Sequence, residues 1–310
     1  MSGSPQKRVV VWRILDGKPG HENQTLGLVS ALKRIVPQID VFDIRSESGP
    51  LATFHWLTGR VPATDALPAA DLIVGAGHAT HLTMLACRKA RGGRAVVLMN
   101  PSLPSGLFDL CVIPAHDGVA EGEGVFVSRG ALNPLSPEGE HDPGKGLFLV
   151  GGPSRHHGWD GDRLVNQIAE IAQASPGVEF TLTTSRRTPD DFLIMLGKAA
   201  IANLDVVPVD ETAPGWVADR LAESATAWVT EDSVSMVYEA LTAGVSVGLL
   251  PAPMTSESRV SRGLKQLADE GLVLPFGDWK GGKSLESGKA PLSESLRCAE
   301  WIVEKWHLDS

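Results

Sequence analysis

The stretch VVVWRILDGKPGHENQTLGLVSAL, residues 9–32, decides the fold class of this chain. Its first seven residues are mostly apolar and predict a buried strand, and Leu28, Val29 and Leu32 recur at the spacing of one helix face. The nine residues DGKPGHENQ between them have almost no hydrophobic content, whereas a tight turn needs only about two or three polar residues. The stretch therefore predicts a strand–helix unit whose connection binds a ligand. A long connection in which Asn23 caps the helix is the structural alternative.

Composition limits the class of protein. The chain has 310 residues, 43% of them hydrophobic, which is enough for two domains with separate cores. Its formal net charge of −9 argues against a general nucleic-acid binder, because such proteins place Lys and Arg at phosphates. Cys87, Cys111 and Cys298 lack the spacing of metal ligands, so we expect buried thiols in a reducing compartment. The sequence has no signal peptide and no long apolar segment, so we expect a cytoplasmic protein, and peripheral contact with the inner face of a membrane stays open.

Short strand-like runs alternate with helical stretches in two successive arrays. The predicted strands are residues 9–15, 41–44, 72–74, 95–99, 110–114 and 125–127 in the first array, and 147–150, 179–183, 206–209, 227–230 and 245–250 in the second. Residues 133–146, NPLSPEGEHDPGKG, interrupt the alternation and predict a linker. We expect an α/β protein with two Rossmann-like parallel-sheet domains, residues 1–140 and 146–290, facing each other across a cleft. A helical pattern at 291–310 follows, and its return to the first domain stays open.

Three polar clusters follow strands of the second array, where ligands bind in open parallel sheets. The first cluster is GGPSRHHGWD, residues 151–160, whose paired glycines let a ligand approach the backbone and whose serine offers a phosphate partner. Its two adjacent histidines suggest a metal, but neighbouring residues rarely share one ion, and the final Asp160 fits a helix cap better than a metal ligand. The candidate binding residues of this cluster are Gly151, Gly152 and Ser154.

The second cluster, TLTTSRRTP at residues 181–189, places hydroxyl groups and arginines after a strand. This combination suits the grip of a pyrophosphate, and a solvated arginine pair explains the same residues equally well. The candidate binding residues are Thr183, Thr184, Ser185 and Arg186.

The third cluster, TEDSVSMVYEA at residues 230–240, is the most specific of the three. Asp232 or Ser233 caps a helix here, and free backbone N–H groups at a helix start suit a diphosphate. A carboxylate one turn further, Glu239, suits the two hydroxyls of a ribose. The candidate binding residues are Asp232, Ser233, Val234, Ser235, Met236 and Glu239.

The first array also ends its strands in polar residues. Besides the opening loop, His78 follows one strand in GAGH, where a helix cap is an equal alternative, and His116 and Asp117 follow another in IPAHD. Residues 53–61 contain Phe54, Trp56 and Leu57, which form either an apolar lip for a lipid or, as the favoured alternative, a buried helix.

Taken together, these motifs resemble the ELM family, the mitochondrial-fission-protein-like proteins that are treated as candidate glycosyltransferases. The motifs DGKPGHENQTLGL, IPAHD, GALN, TTSRRTP, TEDSVSMVYEA and SRVSRGLKQLADEGLVLPFGDW occur in the family's order, from about residue 9 to 279. The family in turn is similar to GT-B glycosyltransferases, in which the C-terminal domain holds a nucleotide sugar and the N-terminal domain receives the acceptor. Two segments depart from the family pattern, APGW before residue 217 and MNPSLP at 99–104.

The resemblance implies roles for the clusters. The glycine, hydroxyl and helix-start residues of the second array would hold the donor diphosphate, and Glu239 would bind its ribose. Asp16 or His21 would be the base that deprotonates the acceptor. The acceptor side would comprise Gly17, Lys18, Gly20, Asn23, Gln24, His78, His116 and Asp117.

Three functions follow from the resemblance and the residues. The first is transfer of a sugar from a nucleotide-diphosphate donor to an envelope or lipid-linked acceptor, with neither a metal nor a further cofactor. The second is a nucleotide-sugar epimerase of the same fold. The third is a non-catalytic scaffold in membrane remodelling, against which the many polar residues at strand ends argue, because they contribute little to a core.

Overall fold

The computed structural model describes residues 8–256, 259–279, 281, 285 and 291–308. The chain divides into two compact units, which we call unit 1 (Met1–Pro134 with Ser293–Ser310) and unit 2 (Leu135–Leu292). Within the described ranges, no helix has both the length and the apolar character needed to cross a bilayer.

Strands and helices alternate through both units. The strands are β1 (Val9–Leu15), β2 (Ile39–Arg45), β3 (Leu72–Ala76), β4 (Arg94–Leu98), β5 (Leu110–Pro114), β6 (Val125–Ser128), β7 (Asp142–Leu149), β8 (Glu179–Thr183), β9 (Leu204–Val207), β10 (Ser224–Thr230), β11 (Ser246–Leu250) and β12 (Val273–Pro275). The helices are α1 (Pro19–Ile35), α2 (Gly49–Thr58), α3 (His81–Arg91), α4 (Gly161–Ala174), α5 (Asp191–Ala199), α6 (Trp216–Glu223), α7 (Val234–Ala243), α8 (Arg259–Asp269) and α9 (Glu294–Trp306).

Unit 1 is built on a six-stranded sheet with the order β2-β1-β3-β4-β5-β6, and its pairings are parallel. Successive residues of β1 point to opposite faces, so Val9 and Val11 join one core cluster while Trp12 and Ile14 join the other. Because helices cover both faces, the strands are apolar on both sides, as the sequence predicted.

The C-terminal helix α9 packs in unit 1 against α1. Ser295 Oγ donates to the Asn133 carbonyl at 2.7 Å and accepts from the Asn133 N–H at 3.2 Å. Ile302 is fully buried in the same cluster as Leu28 and Leu32. The residues just before unit 2, at Asn133, are therefore hydrogen-bonded to α9, the helix that follows unit 2 in the sequence.

Unit 2 is a second six-stranded parallel sheet, in the order β12-β11-β10-β7-β8-β9. One core cluster joins Val229 and Leu149 to α7, and the other joins Phe148 and Trp228 to α4. The expectation of two Rossmann-like parallel sheets in an α/β protein is confirmed. The three cysteines are free and buried, as predicted.

Two local predictions and one structural alternative are wrong. The linker expected at 133–146 is shorter, because β7 begins at Asp142 and its exposed first residues tolerate Pro and Gly. Asn23 does not cap α1: this helix begins at Pro19, which favours a first helical position, and Lys18 is the N-cap residue. Residues 53–61 do not form a buried helix, because Phe54 and Leu57 on α2 are exposed. The helix cap expected at Asp160 is confirmed by its bond from the Arg163 N–H at 3.1 Å.

Candidate functional site

Asp16 and His21 form a hydrogen-bonded pair at the carboxyl end of β1. His21 Nδ1 lies 2.8 Å from Asp16 Oδ2, and the side chains are 20% and 1% exposed respectively. Asp16 Oδ1 also accepts from the Lys18 N–H at 3.1 Å, which fixes the carboxylate. A carboxylate beside Nδ1 holds the proton on that nitrogen, so Nε2 of the neutral ring keeps its lone pair. The pair can therefore accept a proton from a hydroxyl at Nε2.

Local backbone geometry brings these two residues together. Gly17 has a φ of +79°, a left-handed conformation that lets the chain turn immediately after the strand. The turn places His21 in the first turn of α1, and the Glu22 side chain accepts from the Gly17 N–H at 3.0 Å. The polar loop is thus a short, internally bonded turn followed directly by a helix.

Gly77, after β3, forms the surface against which the His21 ring packs. Its φ is +78°, and a Cβ built on it would overlap Cε1 and Nδ1 of His21. Only glycine leaves room for the ring at this point. The GAGH segment therefore positions His21, while its His78 opens a 3-10 turn with an exposed side chain and makes no cap bond.

His116 and Asp117 lie at the same end of this sheet, in a 3-10 turn after β5. The strands β3 and β4 lie between β1 and β5, so three strand spacings of about 4.8 Å, roughly 14 Å, separate the strand that precedes these residues from the strand that precedes the Asp16–His21 pair. The structure therefore brings the two groups to one edge and not into one cluster. Of the other acceptor-side candidates, Gly20 and Asn23 are exposed and Gln24 is half-buried on α1.

Sequence reasoning missed two features at this end of unit 1. Met99, directly after β4, has a φ of +75°, which is strained for a residue with a side chain. His81 is buried and lies 3.3 Å from Ser102 Oγ, and burial, followed by the nearby His78, lowers the pKa of His81. The two histidines of GHATH, residues 77–81, are the sequence signal that could have identified His81. No sequence signal indicates the positive φ of Met99.

In unit 2, the loops after β7, β8 and β10 form one hydrogen-bonded network. The Asp232 carboxylate accepts from the Gly152 N–H at 2.9 Å and from Arg187 Nη2 at 2.8 Å. Arg187 Nη1 donates to the Gly152 carbonyl at 2.7 Å, and the Gly151 N–H donates to Thr230 Oγ1 at 2.7 Å. The side chains of Asp232 and Arg187 therefore hold the three loops together. Arg187 was not among the binding residues predicted from the sequence.

The start of α7 offers backbone donors that have no acceptor in the described part of the chain. The Val237 N–H makes the first bond of this helix, to the Ser233 carbonyl at 3.2 Å, so the N–H groups of Val234, Ser235 and Met236 have no acceptor within the helix. Ser233 is buried and occupies the N-cap position, but its side chain makes no cap bond. The side chain of Ser235 is exposed. This helix start can hold an anion through N–H groups and the helix dipole.

Comparison with known proteins gives the family. The sequence profile described as Mitochondrial fission ELM1 matches residues 19–306. The chain belongs to the mitochondrial fission ELM1 family. No curated protein matches the sequence of this ELM1-family chain.

Solved structures give the fold of the ELM1-family chain. A candidate UDP-N-acetylglucosamine 2-epimerase of Listeria monocytogenes has a TM-score of 0.64 at 12% identity, covering 97% of this chain and 97% of that chain. The UDP-GlcNAc 2-epimerase of Neisseria meningitidis, solved with UDP-GlcNAc, has a TM-score of 0.60 at 11% identity, covering 96% and 99%. MurG of Acinetobacter baumannii has a TM-score of 0.51 at 14% identity, covering 96% and 99%. The fold of the ELM1-family chain is therefore GT-B, and at these identities the likeness shows the fold alone.

Glu239 lies one turn inside α7 of the ELM1-family chain. Burial raises the pKa of its carboxyl to about 7, so the group exchanges a proton near neutrality. A ligand that donates hydrogen bonds to this carboxylate would favour its charged form. Glu239 is thus chemically suited to the hydroxyl pair for which the sequence proposed it.

Two cavities of unit 2 adjoin these loops. One, of about 190 Å³, is lined by Thr184, Ser185 and Arg186 together with Val209 and Asp210. The Val209 N–H donates to Thr184 Oγ1 at 3.1 Å, which joins the loops after β8 and β9. Three predicted binding residues, Thr184, Ser185 and Arg186, therefore line one small pocket. Its other side, at Val209 and Asp210, was not predicted from the sequence.

The second cavity, of about 650 Å³, is lined by His157, Glu231, Arg262 and Lys265 among others. Burial raises the pKa of Glu231 and is the largest cause that lowers the pKa of His157. His157, in the loop after β7, therefore lines the same cavity as the carboxyl group of Glu231. This arrangement was not predicted from the sequence. Among the residues that the structure describes, no group of three His, Cys, Asp or Glu has the arrangement of a metal site.

The remaining predicted residues serve their own loops. Ser154 Oγ accepts from the His157 N–H at 3.2 Å, and Ser185 Oγ accepts from the Arg187 N–H at 3.2 Å. Thr183 is 1% exposed, and its hydroxyl has no hydrogen-bond partner among the residues that the structure describes. The two serine hydroxyls shape their loops, while the backbone at α7 and the pocket at Arg186 stay open to a ligand.

Proposed function

We propose that this ELM1-family chain transfers a sugar from a nucleoside-diphosphate donor to a hydroxyl of an envelope or lipid-linked acceptor. The observation that carries the proposal is the Asp16–His21 pair at the carboxyl end of β1, since a buried carboxylate that orients a partly exposed histidine is suited to general base catalysis. The proposal places donor binding in unit 2 and acceptor activation in unit 1, in a cytoplasmic protein.

The unused N–H groups of α7 support the assignment of the donor diphosphate to unit 2. A diphosphate at Val234, Ser235 and Met236 would receive backbone hydrogen bonds and the positive end of the helix dipole. Arg186, which lines the small pocket, would supply charge for the leaving diphosphate, so the proposal needs neither a metal nor a further cofactor. The same pocket, of about 190 Å³, would take the nucleobase.

In the proposed reaction, His21 Nε2 accepts the proton of the acceptor hydroxyl. The acceptor oxygen forms a bond to the anomeric carbon of the donor, while the bond from that carbon to the diphosphate oxygen breaks. The nucleoside diphosphate leaves with the electron pair. The Asp16 carboxylate stabilises the imidazolium through its 2.8 Å hydrogen bond.

Calorimetric titration with UDP, GDP, CDP, ADP and their common sugars tests the donor assignment. We expect one nucleoside diphosphate to bind with saturation, Ser235→Arg to block the start of α7, and Glu239→Ala to weaken binding by removing the ribose contact. Glu300→Ala, an exposed glutamate on α9, is the matched control and should bind as the natural protein does. If the folded protein bound none of these ligands, both sugar-handling functions would be excluded and a non-catalytic role would stand.

Epimerisation of a nucleotide sugar is the second candidate. The observation that favours it is the cavity shared by His157 and Glu231, because an acid and a base within the donor unit could move a proton on the sugar without any acceptor. Proton NMR of UDP-GlcNAc incubated with the protein separates the two functions. A new sugar epimer still attached to UDP would support the epimerase, whereas acceptor-dependent release of UDP would support the transferase.

A further inference from the structure

Helix α2 of unit 1 carries an apolar ridge on its outer face. Leu51, Phe54 and Leu57 follow one another at three-residue spacing and are 46%, 59% and 67% exposed. The other large apolar side chains exposed in the described part of the chain, such as Ile194, stand on other elements. We call Leu51, Phe54 and Leu57 the α2 ridge.

The ridge has no charged residue within it. Residues 49–59, GPLATFHWLTG, contain no Asp, Glu, Lys or Arg. A helix whose outer face meets water normally carries charged residues there, so this face is unlike a solvated one. A clustered apolar face of this kind marks a surface that binds a protein or a membrane.

The inner face of α2 fixes which side points outward. His55 Nδ1 lies 2.7 Å from Glu47 Oε2, and the Glu47 N–H donates to Thr83 Oγ1 at 3.0 Å, which ties the helix to α3. Ala52 is 1% exposed in the core. The ridge is therefore held outward by specific contacts on the opposite face, and rolling the helix to bury it would break the hydrogen bond between His55 and Glu47.

Cationic side chains border the C-terminal end of the ridge. Lys89 Nζ donates to the Leu57 carbonyl at 3.0 Å, and the Arg60 side chain is 78% exposed, with Asp65 at 3.9 Å. The acidic residue at the other end of the helix, Glu47, is engaged by His55. The net charge of −9 belongs to the whole chain, and charges more than about 10 Å away are largely screened at physiological salt.

We propose that the α2 ridge docks onto an anionic lipid surface. Phe and Leu side chains that enter the interface beside Lys and Arg are the combination that binds helices to negatively charged membranes. The Ser46 N–H, which precedes α2, donates to the Leu15 carbonyl at 2.8 Å, so the helix begins at the same sheet edge as the Asp16–His21 pair. The docking needs no nucleotide and does not rest on the proposed function.

Flotation of the purified chain with lipid vesicles tests the docking. One set of vesicles contains phosphatidylcholine alone, and the other contains phosphatidylcholine with about one third phosphatidylglycerol, an anionic content chosen to give the surface a negative potential. We expect binding to the anionic vesicles that weakens in high salt. Phe54→Ser with Leu57→Ser should lower binding at least about tenfold, because two side chains lose their burial in the interface. Arg60→Gln should lower binding by a smaller factor and reduce its dependence on salt.

Ile194→Ser is the matched control, because Ile194 is 63% exposed but stands on α5 in unit 2. It should float as the natural chain does, and unchanged thermal unfolding of every variant would show that each folds. Absence of binding to anionic vesicles, or equal binding of the ridge variant, would overturn the proposal. If the chain ignored vesicles and instead formed dimers that the ridge variant dissociates, a second copy would cover the ridge and the lipid assignment would be wrong. Nucleotide titrations of the same variants report separately on the proposed function.

Discussion

Asp232 and Arg187, 45 residues apart in the sequence, form an ion pair at 2.8 Å in which the carboxylate is only 2% exposed. Because the same carboxylate accepts from the Gly152 N–H, it joins the loops that follow three strands of unit 2. The glycine loop is close-packed against it: a Cβ on Gly151 would overlap the Asp232 carboxylate. The frame around the proposed diphosphate site is thus made by residues that are not themselves free to bind the ligand.

Removal of Asp232 should loosen this frame. Asp232→Ala leaves the Gly152 N–H and the Arg187 guanidinium without their partner, so we expect a loss of about 1–3 kcal/mol in the free energy of unfolding. Urea unfolding measures it, and nucleotide affinity should fall in parallel. Asp40→Ala is the control, since its pair with Arg8 is exposed and should cost no more than about 1 kcal/mol. Equal losses in the two variants would contradict the structural role of Asp232.

His21→Ala should abolish most of the transfer without affecting donor binding. Loss of a general base lowers turnover by about 10²–10⁴-fold. Asp16→Asn removes the acceptor that holds the proton on Nδ1, so the imidazole can take the wrong tautomer and turnover should fall by a comparable factor. Turnover with a saturating donor and calorimetric donor affinity are the two measurements. The assignment of His21 fails if its alanine variant turns over normally, or if donor affinity falls together with the rate.

Gly77→Ala should damage activity more than stability. Gly77 and Gly92 have φ values of +78° and +77°, but only a Cβ on Gly77 would meet the His21 ring, whereas nothing lies within 4 Å of a Cβ on Gly92. Both substitutions should cost about 1–3 kcal/mol of folding stability, because both glycines combine a positive φ with a ψ near 180°, a conformation that is almost restricted to glycine. Only Gly77→Ala should also displace His21 and lower turnover. Comparison of the two variants by thermal unfolding and by rate separates strain from positioning.

Glu239 should link nucleotide binding to protons. Its pKa is raised to about 7, so the folded protein binds the proton more tightly than the unfolded chain, and the free energy of unfolding should fall as pH rises from about 4.5 to about 7. Hydroxyl donors of a ribose would favour the ionised form, so binding near pH 7 should release part of a proton. Calorimetry in buffers of different ionisation enthalpy measures this release.

Glu239→Gln serves as the control for that measurement. The variant should bind without buffer dependence and should lose the part of the stability change that Glu239 causes between about pH 4.5 and pH 7. Proton uptake by the natural protein on binding, or the same buffer dependence in the glutamine variant, would contradict the assignment of Glu239.

Local sequence patterns were sufficient to predict the bounds of several strands. The strands at Val9–Leu15 and Leu110–Pro114 begin and end where their apolar runs predicted, because parallel strands that are buried on both faces are mostly apolar. The strand at Glu179–Thr183 was also predicted correctly, from its alternation of apolar and β-branched residues. The sequence could not locate the start of α1, because Pro19 and Asn23 both suit the beginning of a helix. The chain turn at Gly17 places the start at Pro19.

The sequence by itself determined the two α/β arrays, the polar clusters at strand ends and the family of the chain. Apolar periodicity and the order of motifs can both be read along the chain without knowing which segments come into contact. Tertiary structure alone decided that Asp16 orients His21 against Gly77, that Arg187 fastens loops while Arg186 lines a pocket, and that Phe54 and Leu57 face outward. Each of these depends on which residues of distant segments come within contact distance. The packing of side chains across strands and helices sets those distances, and no single segment of the chain contains that information.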